Sequence, residues 1–319
     1  MNMESIQFAG ANGTVLPGRI WTGDDAPRMV LQVTHGMTEH MGRYQDLARQ
    51  LTTLGIAVAG FDLRGHGLNP GDQVCASFGE GGWDDSLEDM HRFHGELARR
   101  FPGLPHFMLG FSLGSFLLRD FIGRFHDEVV GAVIMGTGHQ PGLVLSVLLQ
   151  VIRGEIKRGG FDHSTPRVQE MSFGNYNKRF APNQPPFDWL CSDQEQLALY
   201  ARDALCRREI SAGLFWQLVD AMRRTGRPDT YRGWDPNLPV LLLSGAEDPV
   251  GDCGKGVLRV QSSMKKAGLR DVEAHLLPNA RHDLLHEASS GAAQRAIDLL
   301  VKWLLDRAQA GFIRPYEST

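Results

Sequence analysis

Apolar runs alternating with helical patterns constrain this chain more than any other feature. RMVLQVTHG (28–36), IAVAGFDLRGHG (56–67), HFMLGF (106–111), VVGAVIMGTG (129–138), NLPVLLLSGAED (237–248) and DVEAHLLPNA (271–280) are rich in aliphatic and β-branched residues and read as strands. Helix-like stretches stand between and after them. GRYQDLARQLTTLG (42–55) is closed by glycine, and WDDSLEDMHRFHGELARRF (83–101) carries acids in its first turn, where the helix dipole favours them. A third runs from Leu113 to about Phe125, and GAAQRAIDLLVKWLLDRA (291–308) is the last. This alternation predicts an α/β fold, a mostly parallel sheet with helices on both faces. The opening QFAGANGTVLPGRIWTG adds antiparallel strands, with Asn12-Gly13 as the hairpin turn.

From 139 to 235 the pattern changes: no strand stands out, prolines cluster in APNQPPF (181–187), and the rest reads as short helices. The expected organisation is a first core part over 1–138, an inserted helical cap over 139–235 and a second core part over 236–319. At 42% hydrophobic and 22% charged residues, the composition is that of a globular protein. A net charge of −4 gives no electrostatic footprint for nucleic acid. The opening MNMESIQFAGANG lacks the basic and apolar regions of a secretory signal, and LVLSVLLQVI (143–152) is about half the length of a membrane span. Cys75, Cys191, Cys206 and Cys253 show neither C-x-x-C pairing nor metal-ligand spacing, which fits free thiols in a reducing cytoplasm. No cofactor or metal is expected.

Chemistry concentrates where strands are expected to end. In GFSLG (110–114) a lone hydroxyl, Ser112, sits between glycines at a strand-to-helix junction. A turn that tight strains one residue and needs neighbours without bulk, and it aims the serine oxygen outward beside a helix N-terminus. A serine nucleophile needs a base, best supplied by histidine, and an acid to orient that histidine. Asp248 follows one predicted strand and His282 follows the next, so parallel strands would bring all three to one edge, in the chain order Ser, Asp, His. The backbone N–H groups of Leu113, at a helix start, and Met37, in THGMTEHMGRY, are the expected oxyanion donors.

These motifs resemble α/β-hydrolases of the monoacylglycerol lipase and lysophospholipase group: HGMTEHMGRY (35–44), FDLRGHG (61–67), GFSLG (110–114), GAEDPV (245–250) and NARHDLLHE (279–287). SFGNYNKRF (172–180) and FDWLCSDQEQLALYARDALC (187–206) look like its bacterial members. The resemblance implies a serine ester hydrolase of single-chain lipid esters, working through an acyl-enzyme. Thr38 departs from the glycine many relatives carry, and Ala204 from their Asp-Pro-Leu-Cys. Rival readings are a proline-iminopeptidase-like peptidase, a small-ester esterase or thioesterase, and a non-catalytic ligand-binding relative. Glu247 and Asp62 are alternative triad acids, and HDLLH (282–286) has a zinc spacing but lacks the adjacent glutamate. His35, His40 and His66 read as structural, and Phe187, Trp189, Phe215 and Trp216 as cap core. GLVLSVLLQVIRGEIK (142–157) covers the pocket or meets membranes and micelles through an apolar face. A cytoplasmic protein, peripheral to membranes through this segment, is the expectation; the oligomeric state is left open.

Overall fold

The runs of aliphatic residues bury both faces of their strands. In the computed structural model, which describes residues 1–69, 75–125, 128–174, 176–180, 187–206 and 209–309, β3 (Met29–Thr34), β4 (Ile56–Phe61), β5 (His106–Phe111), β6 (Gly131–Met135) and β7 (Val240–Gly245) are buried throughout. With β1 (Asn2–Ala9), β2 (Val15–Thr22) and β8 (Val272–Leu277) they form one sheet of eight strands, in the order β1-β2-β4-β3-β5-β6-β7-β8. β1 and β2 are antiparallel to their neighbours; from β4 to β8 every pairing is parallel. Leu31 lies against Phe107, Leu109 against Val133 and Ile134 against Leu242, so apolar side chains stack across the sheet on both faces.

Among the described residues, five helices cover it. α1 (Gln45–Thr52) lies on one face; α2 (Gly82–Arg100) and α3 (Leu113–Arg124) lie on the other. Four more helices, α4 (Gly142–Gly159), α5 (Pro166–Phe173), α6 (Gln194–Arg202) and α7 (Ala212–Thr225), run between β6 and β7. α8 (Lys255–Ala267) joins α2 and α3, and α9 (Ala292–Gln309) joins α1. The core is continuous from the α2–α3 face into the four-helix segment: Leu145, Leu149 and Ile152 of α4 and Leu214, Phe215 and Val219 of α7 belong to the same buried cluster as Leu117, Phe121 and Ile134. The opposite side of α4 leaves Leu143, Val144 and Val147 at 57–80% exposure. No helix among the described residues is long and apolar enough to cross a membrane. The proline cluster at 181–186 lies outside the described residues.

Three local outcomes differ from the sequence reading. The first hairpin does put Asn12 and Gly13 at positive φ (55° and 73°), but its loop is longer than two residues, since Gly10 N–H donates to Thr14 O at 2.8 Å. Asp89 of α2 draws this loop inward by accepting the Ala11 N–H at 2.6 Å. β1 begins at Asn2, ahead of the predicted strand, because it is an edge strand whose exposed residues carry no apolar run. α8 is absent from the sequence expectations, although Val257, Val260 and Met264 are buried at helical spacing and glycines stand at both ends.

Candidate active site

The junction of β5 and α3 explains both glycines of GFSLG. Ser112 has φ 51° and ψ −115°, a conformation that costs an L-residue energy and persists only under firm constraint. Ser112 N–H donates to Met135 O of β6 at 2.9 Å. A Cβ on Gly110 would lie 2.3 Å from Gly114 O, and one on Gly114 would lie 2.1 Å from Thr34 O. Neither position admits a side chain.

Three strand ends deliver the expected groups to one place. His282, after β8, has Nε2 at 2.9 Å from Ser112 Oγ and Nδ1 at 2.9 Å from Asp248 Oδ2. Asp248 lies just past β7 and is fully buried; its Oδ1 accepts the Val250 N–H at 2.8 Å and its Oδ2 accepts from Ser244 Oγ at 3.3 Å. The carboxylate on the histidine is therefore that of Asp248. Neighbouring Glu247 is tied through its N–H to Ala280 O at 3.0 Å, and Asp62 accepts the Met41 and Leu68 N–H groups at 2.8 Å. Burial pulls the His282 pKa down, but Asp248, with Asp283 and Glu39 behind it, outweighs burial and holds it above the ordinary value. The rings of Phe111 and Trp189 pack on the imidazole at 5.0 and 5.3 Å.

The loop after β3 carries Met37 to the same cavity, and Leu113 opens α3, where the first N–H groups of a helix have no intrahelical acceptor. Glu39 braces the loop: its carboxylate accepts from Gly36 N–H (2.5 Å), Tyr44 OH (2.8 Å) and Arg43 (2.6 Å). Arg43 also reaches Asp283 at 2.7 Å, and Asp283 lies 2.8 Å from His286 Nδ1. Burial alone would raise the Asp283 pKa, yet His286 and Arg43 hold it below the usual carboxylate range. This network joins the Met37 loop to the His282 loop.

A cavity of about 770 Å³ opens on Ser112. Thr38, Glu39, Arg43, Tyr200 and Asp283 make it polar on one part of its wall, and Phe116, Phe173, Ile210, Leu218, Met222 and Val250 make it apolar elsewhere. Phe187 and Trp189 also line it, so they are cavity wall as well as packing; Phe215 is buried, and Trp216 packs against the core. Sequence spacing carries no signal that separates such wall aromatics from core ones.

The remaining candidates have structural duties. His35 accepts the Leu63 N–H at 2.9 Å, and His66 lies 2.7 Å from Arg64 O. Arg64 pairs with Asp89 at 2.6 Å. Both ring nitrogens of His282 are engaged, which leaves none to share a metal with His286. His40, Asp203 and Cys206 place ligand atoms within 4.8 Å of one another. However, the Gly42 N–H donates to His40 Nδ1 at 3.1 Å, so the ring proton sits on Nε2 and faces Asp203 at 2.8 Å. In that tautomer the imidazole offers the cluster no lone pair.

A serine on a strained strand-to-helix turn, bonded through histidine to a buried aspartate at the C-terminal edge of a mostly parallel sheet, defines an α/β-hydrolase. Structural likeness agrees: a thermostable carboxyl esterase from Bacillus coagulans, solved in complex with glycerol, superposes with a TM-score of 0.88 at 24% identity, covering 97% of this chain and 99% of that one. The chain belongs to the family described as serine aminopeptidase, S33, whose model matches residues 25–289. The chain is 25% identical over 305 residues to the monoacylglycerol lipase of Mycolicibacterium smegmatis, covering 93% of this chain and 95% of that protein. It is 27% identical over 303 residues to human monoglyceride lipase, covering 90% of each.

Proposed function

We propose that this chain is a serine carboxylic ester hydrolase of single-chain lipid esters, with monoacylglycerols as its preferred substrates. The observation that carries the reading is the Ser112–His282–Asp248 chain, with both links at 2.9 Å, opening into a large and partly apolar cavity. Ser112 Oγ attacks the acyl carbonyl while His282 Nε2 takes its proton; Asp248 holds the ring and stabilises the imidazolium. The Met37 and Leu113 N–H groups receive the oxyanion, His282 returns the proton to the leaving alcohol, and water then releases the acid from the acyl-enzyme. In this reading the segment 139–235 is the cap whose apolar wall receives the acyl chain. The exposed Leu143, Val144 and Val147 on α4 support its meeting lipid surfaces.

Charge bears on the head group. Arg43 stands against two carboxylates, Glu39 and Asp283, and Asp283 also pairs with His286. A phosphate would have to displace a carboxylate from Arg43, whereas the hydroxyls of glycerol can donate to carboxylate oxygens. The same carboxylates favour a second reading, an aminopeptidase that binds a substrate ammonium. Against it, both carboxylates are already shared, Glu39 with Tyr44 and Asp283 with His286.

The experiment compares kcat/KM for a medium-chain monoacylglycerol, the matching lysophosphatidic acid and a prolyl amide, with Ser112→Ala and fluorophosphonate labelling alongside. The monoacylglycerol should be best and the other two poor, and Ser112→Ala should lose both turnover and labelling while staying folded. Faster turnover of the prolyl amide would replace this reading with the peptidase one. Undiminished labelling of Ser112→Ala would remove Ser112 as nucleophile.

A further inference from the structure

The loop after β3 is not held by the sheet alone. Thr38, next to Met37, has φ 56°, a left-handed conformation that a β-branched residue adopts only when its surroundings enforce it. Its Oγ1 lies 2.7 Å from Met37 O and 2.8 Å from Tyr200 Oη. A hydroxyl has one proton, so the order of donation is set: Thr38 Oγ1–H donates to the Met37 carbonyl, and Tyr200 O–H donates to Thr38 Oγ1. The Tyr200 proton also leans toward Thr38 O, at 3.4 Å. Burial raises the phenol pKa, which keeps that donor protonated. Tyr200 is itself fixed, with the Arg43 guanidinium 5.1 Å from its ring centre and Phe187 edge-on at 5.9 Å. A second tie follows at once, His40 Nε2 to Asp203 at 2.8 Å, where Asp203 caps the C-terminus of the same helix, α6.

We propose that Thr38 is a positioning residue that couples helix α6 to the oxyanion donor of Met37, through the hydrogen-bonded series Tyr200–Thr38–Met37. This rests on the ester-hydrolase reading, in which the Met37 N–H receives the oxyanion. α6 lies outside the sheet, in the segment between β6 and β7, so a displacement of that segment reaches the reacting centre through this series. Oxyanion donors work only within a narrow distance of the developing charge, so slackening the loop costs turnover more than substrate binding.

The test uses the full chain with a medium-chain monoacylglycerol. Thr38→Ala and Tyr200→Phe should each lower kcat about tenfold, less than the roughly 10²–10³ that loss of an oxyanion donor costs, with KM nearly unchanged. The double variant should be no worse than the poorer single one, and Thr38→Ser should recover turnover. Thr38→Gly separates positioning from stability. Glycine relieves the positive φ, so its thermal midpoint should equal or exceed that of the parent while kcat still falls. A Tyr200→Phe variant that raises KM at parental kcat would make Tyr200 a substrate contact and overturn the coupling. So would parental kcat in Thr38→Gly while Ser112→Ala is inactive. Full activity in Ser112→Ala would instead overturn the hydrolase reading on which the coupling stands.

Discussion

Replacing Asp248 by asparagine should nearly abolish turnover, and the surrounding hydrogen bonds give the reason. Asp248 Oδ1 accepts the Val250 N–H at 2.8 Å, and only the oxygen of an asparagine amide can take that place. The amide NH₂ then points at His282 Nδ1, which becomes an acceptor and leaves the ring proton on Nε2, facing Ser112. A histidine in that tautomer cannot take the serine proton. Flipping the amide would leave buried donors without acceptors, at about 1–3 kcal/mol. That alone lowers the productive tautomer by one or two powers of ten. The larger loss is the charge that stabilises the imidazolium, about 4 kcal/mol for two charges some 4 Å apart at an effective dielectric constant near 20. Together these approach the roughly 10⁴-fold loss known for this substitution in serine proteases, or about 5.5 kcal/mol of barrier. Steady-state hydrolysis of p-nitrophenyl octanoate measures it, with circular dichroism to verify folding. Turnover within about tenfold of the parent would refute the tautomer argument. A greater loss from Glu247→Gln than from Asp248→Asn would give the acid role to Glu247.

Because only neutral imidazole accepts a proton, kcat/KM should rise with pH through an apparent pKa above the ordinary 6.5. A profile flat from about pH 5 to about pH 9 would argue against His282 as base. The raised folded value also gives a stability contribution, fully present below the unfolded pKa and lost as pH rises through the folded one; comparing denaturation of the parent and His282→Asn across that window reads it. Arg43→Met leaves Glu39 buried without its cation and Asp283 with His286 alone, and should cost about 3–5 kcal/mol in urea unfolding; adding Glu39→Gln and Asp283→Asn should recover most of it, and a loss under about 1 kcal/mol would show that water already screens the trio. Lengthening an acyl chain from four to ten carbons should raise kcat/KM by some part of the roughly 5 kcal/mol those methylenes can gain on burial. Preference for acetate, measured below the critical micelle concentration, would contradict an apolar acyl wall.

The sheet and its reactive edge were legible because both are written locally. A strand buried on two faces must be an apolar run, and Ser112 and Asp248 stand just beyond two such runs, while His282 follows β8, a half-buried edge strand. Glu247 and Asp248 could not be separated by spacing, since adjacent carboxylates follow the same strand; what separates them is the turn after β7, which commits the Glu247 backbone to Ala280. The start of β1 carries no such signal, because an exposed edge strand needs no apolar pattern. Phe187 and Trp189 look the same in sequence whether they face a cavity or a core, for hydrophobicity records burial and not what is buried against. Likewise Thr38, at positive φ, is bonded to a partner distant in sequence, Tyr200.

The buried cluster that runs from α3 into α4 and α7 has a consequence for how the molecule comes apart. A flap with its own core could detach while the sheet stayed intact, but Leu149, Ile152 and Phe215 share their packing with Phe121 and Ile134. Lifting α4 and α7 together would open the cluster they share with α3, the helix that lies on the sheet, so their amides should exchange hydrogen only at the cost of global unfolding. The part free to breathe is the rim formed by α5 and α6, which contributes only Val168 and Leu197 as fully buried apolar side chains. Protection from exchange should therefore divide the four helices into two classes: α4 and α7 melting with the sheet, and α5 and α6 opening and closing while everything beneath them remains folded.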